Sequence, residues 1–138
     1  MIRLIEPLKK VVLDDTVMSG EEVKEELFGG FCTCGGWMFQ KIWIESETKK
    51  ILISECEKCW KNEAIIFNSL KFETKQEVKV IGKHEFVEFL REILSNSEIE
   101  AIINKARNRE FHSIAYSNAK KKLLNMNFKM EEVLEMLR

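Results

Sequence analysis

The chain is short of several things, and each shortage narrows what it can be. Across 138 residues, room for one compact domain or two very small ones, no stretch approaches the roughly 18 apolar residues that span a bilayer. The opening MIRLIEPLKK lacks the apolar run of a signal peptide, so a soluble, cytoplasmic protein with no membrane partner is expected. An excess of one charge is missing too. Lys and Arg number 22 against 23 Asp and Glu, a formal net charge of -1, which gives no whole-protein pull toward nucleic acid or acidic membranes. Glutamine occurs only at Gln40 and Gln76, a thermophile-like bias beside abundant Lys and Glu, although asparagine is not scarce.

Catalytic signatures are also missing. The two histidines, His84 and His112, have no serine or cysteine nucleophile near them in a known catalytic arrangement. There is no phosphate-binding loop and no dinucleotide fingerprint. Glu21-Glu22 and Glu25-Glu26 read as the solvated face of a helix, not as a paired-carboxylate site. Missing motifs do not exclude an enzyme, but nothing in the sequence supports one. No repeat or low-complexity tract interrupts the chain.

What is present is a cysteine constellation: Cys32-x-Cys34, then 21 residues, then Cys56-x-x-Cys59. In a reducing cytosol such clusters are metal ligands more often than disulfides. Two close pairs at the ends of adjacent strands would supply four thiolates to one structural Zn2+ in a tetrahedron, with no position left for water or substrate. Gly35 and Gly36 would let the backbone bend and aim amide N–H groups at the sulfurs. Two disulfides, free thiols, redox chemistry and an iron–sulfur centre remain alternatives.

Around these cysteines, roughly residues 31–67, the sequence resembles the zinc-ribbon superfamily, whose members recur in RNA polymerase subunits, elongation factors, ribosomal proteins and DNA-handling machinery. The first knuckle departs from the usual pattern by holding one residue, Thr33, between its cysteines. The resemblance implies a rigid ribbon with Cys32, Cys34, Cys56 and Cys59 as ligands.

The pattern around it predicts an α+β protein. Residues 1–30 read as a strand near Ile2–Leu13, interrupted by Pro7, then a short helix capped by Ser19 with Glu22, its apolar face Val23, Leu27 and Phe28, ended by Gly29-Gly30. Residues 31–82 read as a small antiparallel zinc ribbon of about three strands: Trp37–Ile44, Ile51–Ser54 and Ala64–Phe67. Residues 68–83 look polar, with one further candidate strand at Val78–Ile81. From 83 to 138 the spacing predicts a helical bundle: Phe86, Phe89, Leu90 and Ile93; after Ser95-Asn96-Ser97, Ile99, Ile102, Ile103 and Ala106; then Phe111, Ile114, Ala115 and Asn118; and last Met130, Val133, Leu134 and Leu137. Whether 98–124 is one helix or two is open.

Two surfaces carry the functional expectation. By strand alternation Trp37, Phe39 and Trp43 share one face, an aromatic platform for bases or a partner protein unless it is covered internally. Trp60 would shield the metal. Residues 101–129 hold seven cations against one acid, Glu110, a local net of +6. Lys105, Arg107, Arg109, Lys120, Lys121 and Lys122 would hold phosphates, and on a continuous helix Arg109, His112, Tyr116 and Lys120 would share one face. A solvated helix face is the plainer reading. Glu131, Glu132 and Glu135 argue against the last helix entering a major groove. Two functions follow as expectations: a non-enzymatic accessory factor bound to RNA or DNA, or an adaptor that docks on a larger complex or on a second copy. A thiol or metal relay is a third.

Overall fold

The computed structural model describes residues 2–14, 16–69 and 71–138. Contacts divide the chain into two compact units, Met1–Val80 and Ile81–Arg138.

The first unit is one sheet. Its strands are β1 (Ile2–Ile5), β2 (Lys10–Leu13), β3 (Thr16–Ser19), β4 (Glu21–Glu22), β5 (Phe28–Phe31), β6 (Trp37–Glu45), β7 (Lys49–Cys56), β8 (Asn62–Asn68) and β9 (Lys71–Ile81), with a single 3-10 turn at Glu6–Leu8. Eight strands run in the order β3-β2-β1-β9-β8-β7-β6-β4, and β5 adds to β6. β3 and β4 therefore stand at opposite ends of the sheet, yet only Gly20 separates them in the chain. Thr16–Ser19 pairs with β2, and Glu21–Glu22 pairs with Trp43 and Ile42 of β6. Gly20 N–H donates to Lys9 O at 2.9 Å, and Val23 N–H to Lys41 O at 2.8 Å. One stretch of chain thus pairs with β2 before Gly20 and with β6 after it, and curls the sheet into a nearly closed barrel.

Inside lie Ile2, Leu4, Val11, Ile42, Ile44, Ile51, Ile53, Ala64, Ile66 and Val78. Each fully buried aliphatic side chain of this size stabilises by about 1.5–3 kcal/mol. A small corner residue is needed where the strap turns. A Cβ on Gly20 would collide with Ile42 Cγ2 and stand 3.1 Å from Ile44 Cγ1, both of them core atoms, so a side chain there would enter filled space.

This architecture overturns the expected small three-stranded zinc ribbon preceded by a strand and a helix. The expected Ser19-capped helix is instead the end of β3, the Gly20 corner and β4, and Leu27 and Phe28 are exposed. A helix cap is worth about 1 kcal/mol, whereas the strap satisfies two sheet edges and buries Val17. The expected polar segment 68–83 is mostly β9, eleven residues long. Its alternation is hidden because Lys71–Glu77 presents mainly polar side chains, and only Val78 and Ile81 are buried.

The second unit holds four helices among its described residues: α1 (Phe86–Arg91), α2 (Asn96–Ala106), α3 (Ser113–Asn125) and α4 (Met130–Leu137). They bury Phe86, Leu90, Ile102, Ala119, Leu123 and Val133, and Phe89 meets Phe128 edge-on at 6.0 Å. Ser95 caps α2 in a reciprocal box: Glu98 N–H donates to Ser95 Oγ, and Ser95 N–H donates to Glu98 Oε1 at 2.9 Å. Glu98 is buried and meets Lys122 Nζ of α3 at 2.7 Å, so one carboxylate both caps α2 and ties it to α3. Burial pushes the Glu98 carboxyl upward, but the Lys122 and Ser95 hydrogen bonds outweigh it and hold it below its ordinary value.

Two predictions follow from these constraints. Gly20→Val should destabilise the barrel by roughly 1–3 kcal/mol in chemical denaturation, and an unchanged midpoint would refute the corner argument. For Glu98, a lowered folded-state pKa means that its contribution is present above the unfolded value of about 4.3 and is lost as pH falls through the folded one. Denaturation midpoints measured across that acidic range should therefore fall more steeply in the native protein than in Glu98→Gln.

Candidate metal centre

The two cysteine pairs come together at one end of the barrel. Cys32 and Cys34 follow β5, and Gly36 leads into β6. Cys56 ends β7, and Cys59 lies in the turn before β8. The β6–β7 register sets Met38 opposite Cys56, which carries the second pair up against the first. Cys32 Sγ lies 3.6 Å from Cys59 Sγ, and Cys34 Sγ 3.5 Å from Cys56 Sγ. All four sulfurs fall within 4.8 Å of one another. A disulfide needs about 2.05 Å, and all four cysteines are free thiols. The arrangement can hold a metal ion.

Each knuckle is a tight turn with amides aimed at sulfur. Gly36 N–H approaches Cys34 Sγ at 3.4 Å, Lys58 N–H approaches Cys56 Sγ at 3.4 Å, and Cys59 N–H approaches the same sulfur at 3.5 Å. Gly35 has φ +89. An added Cβ on Gly36 would stand 2.7 Å from Cys56 Sγ and 2.8 Å from Lys58 Cβ, so only glycine fits between the pairs. The backbone N–H of Cys59, helped by that of Lys58, lowers the Cys56 thiol to about 7 against the opposing effect of burial. The Cys34 N–H likewise lowers Cys32. At Cys59 the Lys61 N–H acts downward, but burial and the other three thiols outweigh it and push the group up to about 12. Four thiols packed this closely resist losing all their protons unless a cation compensates the charge.

The other expected residues are placed less simply. β7 and β8 pair without irregularity, so Leu52, Ser54 and Cys56 share one face. Their β6 partners are Trp43, Gln40 and Met38, with a bulge between Gln40 and Ile42. The bulge therefore puts Trp43 on the opposite face from Trp37 and Phe39, and Trp43 Nε1 donates to Gln40 Oε1 at 2.9 Å. The expected single platform of Trp37, Phe39 and Trp43 does not form. Trp37 packs instead with two residues that sequence reasoning missed: Phe28 lies 5.1 Å from Phe31 and 6.1 Å from Trp37, edge to face, and all three rings are at least half exposed. The signal was the pair of phenylalanines in Phe28-Gly-Gly-Phe31, directly before Cys32. Trp60, expected over the metal, is 69% exposed and has φ 64, an uncommon backbone state for a bulky residue.

The basic residues do not share one helix. α2 ends at Ala106 and α3 starts at Ser113. Asn108 takes φ 56 between them, and Arg109 N–H closes the turn on Asn104 O at 2.8 Å. Arg107 caps the C-terminal end of α2, while His112 caps α3 by accepting the Ala115 N–H on Nδ1 at 3.2 Å. Lys105 lies 5.2 Å from the Phe111 ring centroid, and Phe111 lies 5.0 Å from the Tyr116 ring; burial raises the Tyr116 hydroxyl. Lys120 and Lys121 are exposed on α3, and Lys122 is committed to Glu98. No helix among the described residues is long and apolar enough to cross a membrane.

Any ion held by the four thiolates should leave on chelation, and hydrogen exchange should then increase in β5, the start of β6 and the turn after Cys56, while the barrel core stays protected. Protection at the knuckles that survives complete metal removal would show that the turns hold without an ion.

Residues 1–80 match the AF0631-like N-terminal beta-barrel domain, and residues 83–136 match the AF0631-like C-terminal four-helix domain. A protein of Archaeoglobus fulgidus named as uncharacterized is 52% identical over 138 residues, covering 100% of both chains. No solved structure matches the chain. By these matches the chain belongs to the AF0631-like family.

Proposed function

We propose that this member of the AF0631-like family is a non-enzymatic, nucleic-acid-associated accessory protein whose barrel carries one structural Zn2+. The zinc reading rests on the donor set. Four thiolates at about 2.3 Å from a tetrahedral zinc stand roughly 3.8 Å apart, close to the 3.5 and 3.6 Å of the Cys34–Cys56 and Cys32–Cys59 pairs. Cys32, Cys34, Cys56 and Cys59 would fill the coordination sphere, so the metal holds the knuckles and performs no chemistry. Elemental analysis is expected to return one zinc per chain, and Cys56→Ser is expected to lose it.

The nucleic-acid reading rests on unneutralised charge. In the barrel, Lys9, Lys41, Lys50, Lys61 and Lys75 lie within 4 Å of a glutamate, while Lys24, Lys58, Lys71 and Lys79 are exposed and scattered along the chain. In the helical unit Lys105, Arg107, Arg109, Lys120 and Lys121 are exposed, and among the described residues none has a carboxylate within that distance. Cations left unpaired in this way are available to phosphates. Reversing Lys120 and Lys121 to Glu should weaken binding to labelled RNA or DNA and flatten the log–log salt dependence by about 2. Equal binding by the native and reversed proteins in fluorescence anisotropy would refute this reading.

A second reading is favoured by one observation. Phe28, Phe31 and Trp37 form an exposed ring cluster beside the knuckles, and exposed aromatic clusters mark docking surfaces. Under that reading the protein is an adaptor, and the cluster anchors it to a larger complex or to a second copy.

A further inference from the structure

The helical unit contains a cleft of about 730 Å³ between α2 and α3, within the size range of small-molecule sites. Its lining is unusually one-sided in chemistry. The carboxylate on its wall, Glu98, is already satisfied by Lys122 and by the Ser95 N–H. The remaining polar lining is Ser95, Ser97, His112, Asn118 and Lys121. Lys121 has no carboxylate within 4 Å among the described residues. His112 accepts the Ala115 N–H on Nδ1, which leaves the proton of the neutral ring on Nε2 and makes that nitrogen a donor. Asn118 adds an N–H2, and Ser97 a hydroxyl that also lies 3.2 Å from Ser95 Oγ. Apolar lining comes from Ala115 and from Ile114, which is 67% exposed, an uncommon degree for isoleucine on a helix.

We infer that this cleft binds one phosphate-bearing nucleotide unit, with Lys121, His112, Ser97 and Asn118 around the phosphate and the base against Ile114. The inference rests on the nucleic-acid reading above and deepens it. The neutralised Glu98 removes the repulsion that an anion would otherwise meet. The donors match phosphate oxygens, and the apolar lip offers a ring contact that free phosphate could not use. A free 5′-mononucleotide and the terminal nucleotide of a strand present the same phosphate monoester, so the experiment must separate them.

Isothermal titration of the full-length, metal-loaded protein would use inorganic phosphate, a 5′-mononucleotide and a 5′-phosphorylated oligonucleotide. The mononucleotide should bind several-fold more tightly than phosphate alone. Ser97→Glu should weaken it by at least about tenfold through like-charge repulsion. The same change places an acid in the first turn of α2, where it favours the helix, so the melting temperature should hold or rise and misfolding cannot explain the loss. Lys121→Gln should weaken binding less. The cleft assignment fails if the mononucleotide does not bind, if Ser97→Glu leaves its affinity unchanged, or if phosphate alone binds equally well. Oligonucleotide binding with no mononucleotide binding would sink the cleft and spare the nucleic-acid reading. Mononucleotide binding that Ser97→Glu abolishes, with no oligonucleotide binding, would support the cleft as a site for a free nucleotide and sink that reading.

Discussion

The backbone hydrogen bonds of Thr16–Glu22 are what the rest of the barrel unit depends on. A sheet with two open edges exposes two rows of amides and carbonyls. Here one short strap binds both edges, pairing with β2 before Gly20 and with β6 after it. Because β4 occupies the edge of β6 only at Ile42 and Trp43, the first part of β6 is left for β5. β5 in turn delivers Cys32 and Cys34 to the end of the sheet. The bulge in β6 allows this division. On one side of it Ile42 and Ile44 fill the barrel; on the other Met38 joins Cys32 and Cys56 in a separate buried cluster.

The candidate metal centre is accordingly separate from the barrel core. Two of its thiols, Cys32 and Cys56, are buried, and two, Cys34 and Cys59, are exposed. Gly36 is wedged between the pairs, so their spacing is set by backbone contact before any ion arrives. That preorganisation reduces the ordering needed at binding. Loss of an ion held there is accordingly expected to loosen the knuckles and spare the barrel core, in contrast with a free-standing ribbon, which has no other core.

How much of this could be read in the sequence depended on the range of the interactions. The cysteine set was legible because spacings of one and two intervening residues are local, and the helical stripes after Gly82 were legible because their partners lie three and four positions away. The strap was not. Ser19 and Glu22 present a sound local capping signal, and what defeats it is the hairpin with Lys10–Leu13 together with pairing to Ile42–Trp43, some twenty residues on. The polar outer side of β9 concealed a strand of eleven residues. The bulge before Ile42 is a mismatch of register with β7, invisible in β6 alone, and it moved Trp43 to the other face. At the candidate cleft, the basic residues were legible as composition. The break between Ala106 and Ser113, which leaves Arg109 outside both helices, was not.

The neighbour relation between β1 and β9 carries a further consequence. The first strand of the chain lies beside the ninth, so the loop that brings them together spans nearly the whole unit. Contacts of such separation are entropically slow to form. During synthesis the outer side of Ile2–Ile5 must wait, unpaired, until Lys71–Ile81 has left the ribosome. The β6–β7–β8 meander can pair earlier, since its turns are short, and it carries Cys56 and Cys59. Barrel closure then becomes the last and slowest event in making this unit, and the interval before it is when the exposed β-branched strand Ile2–Ile5 is most open to mispairing with another chain.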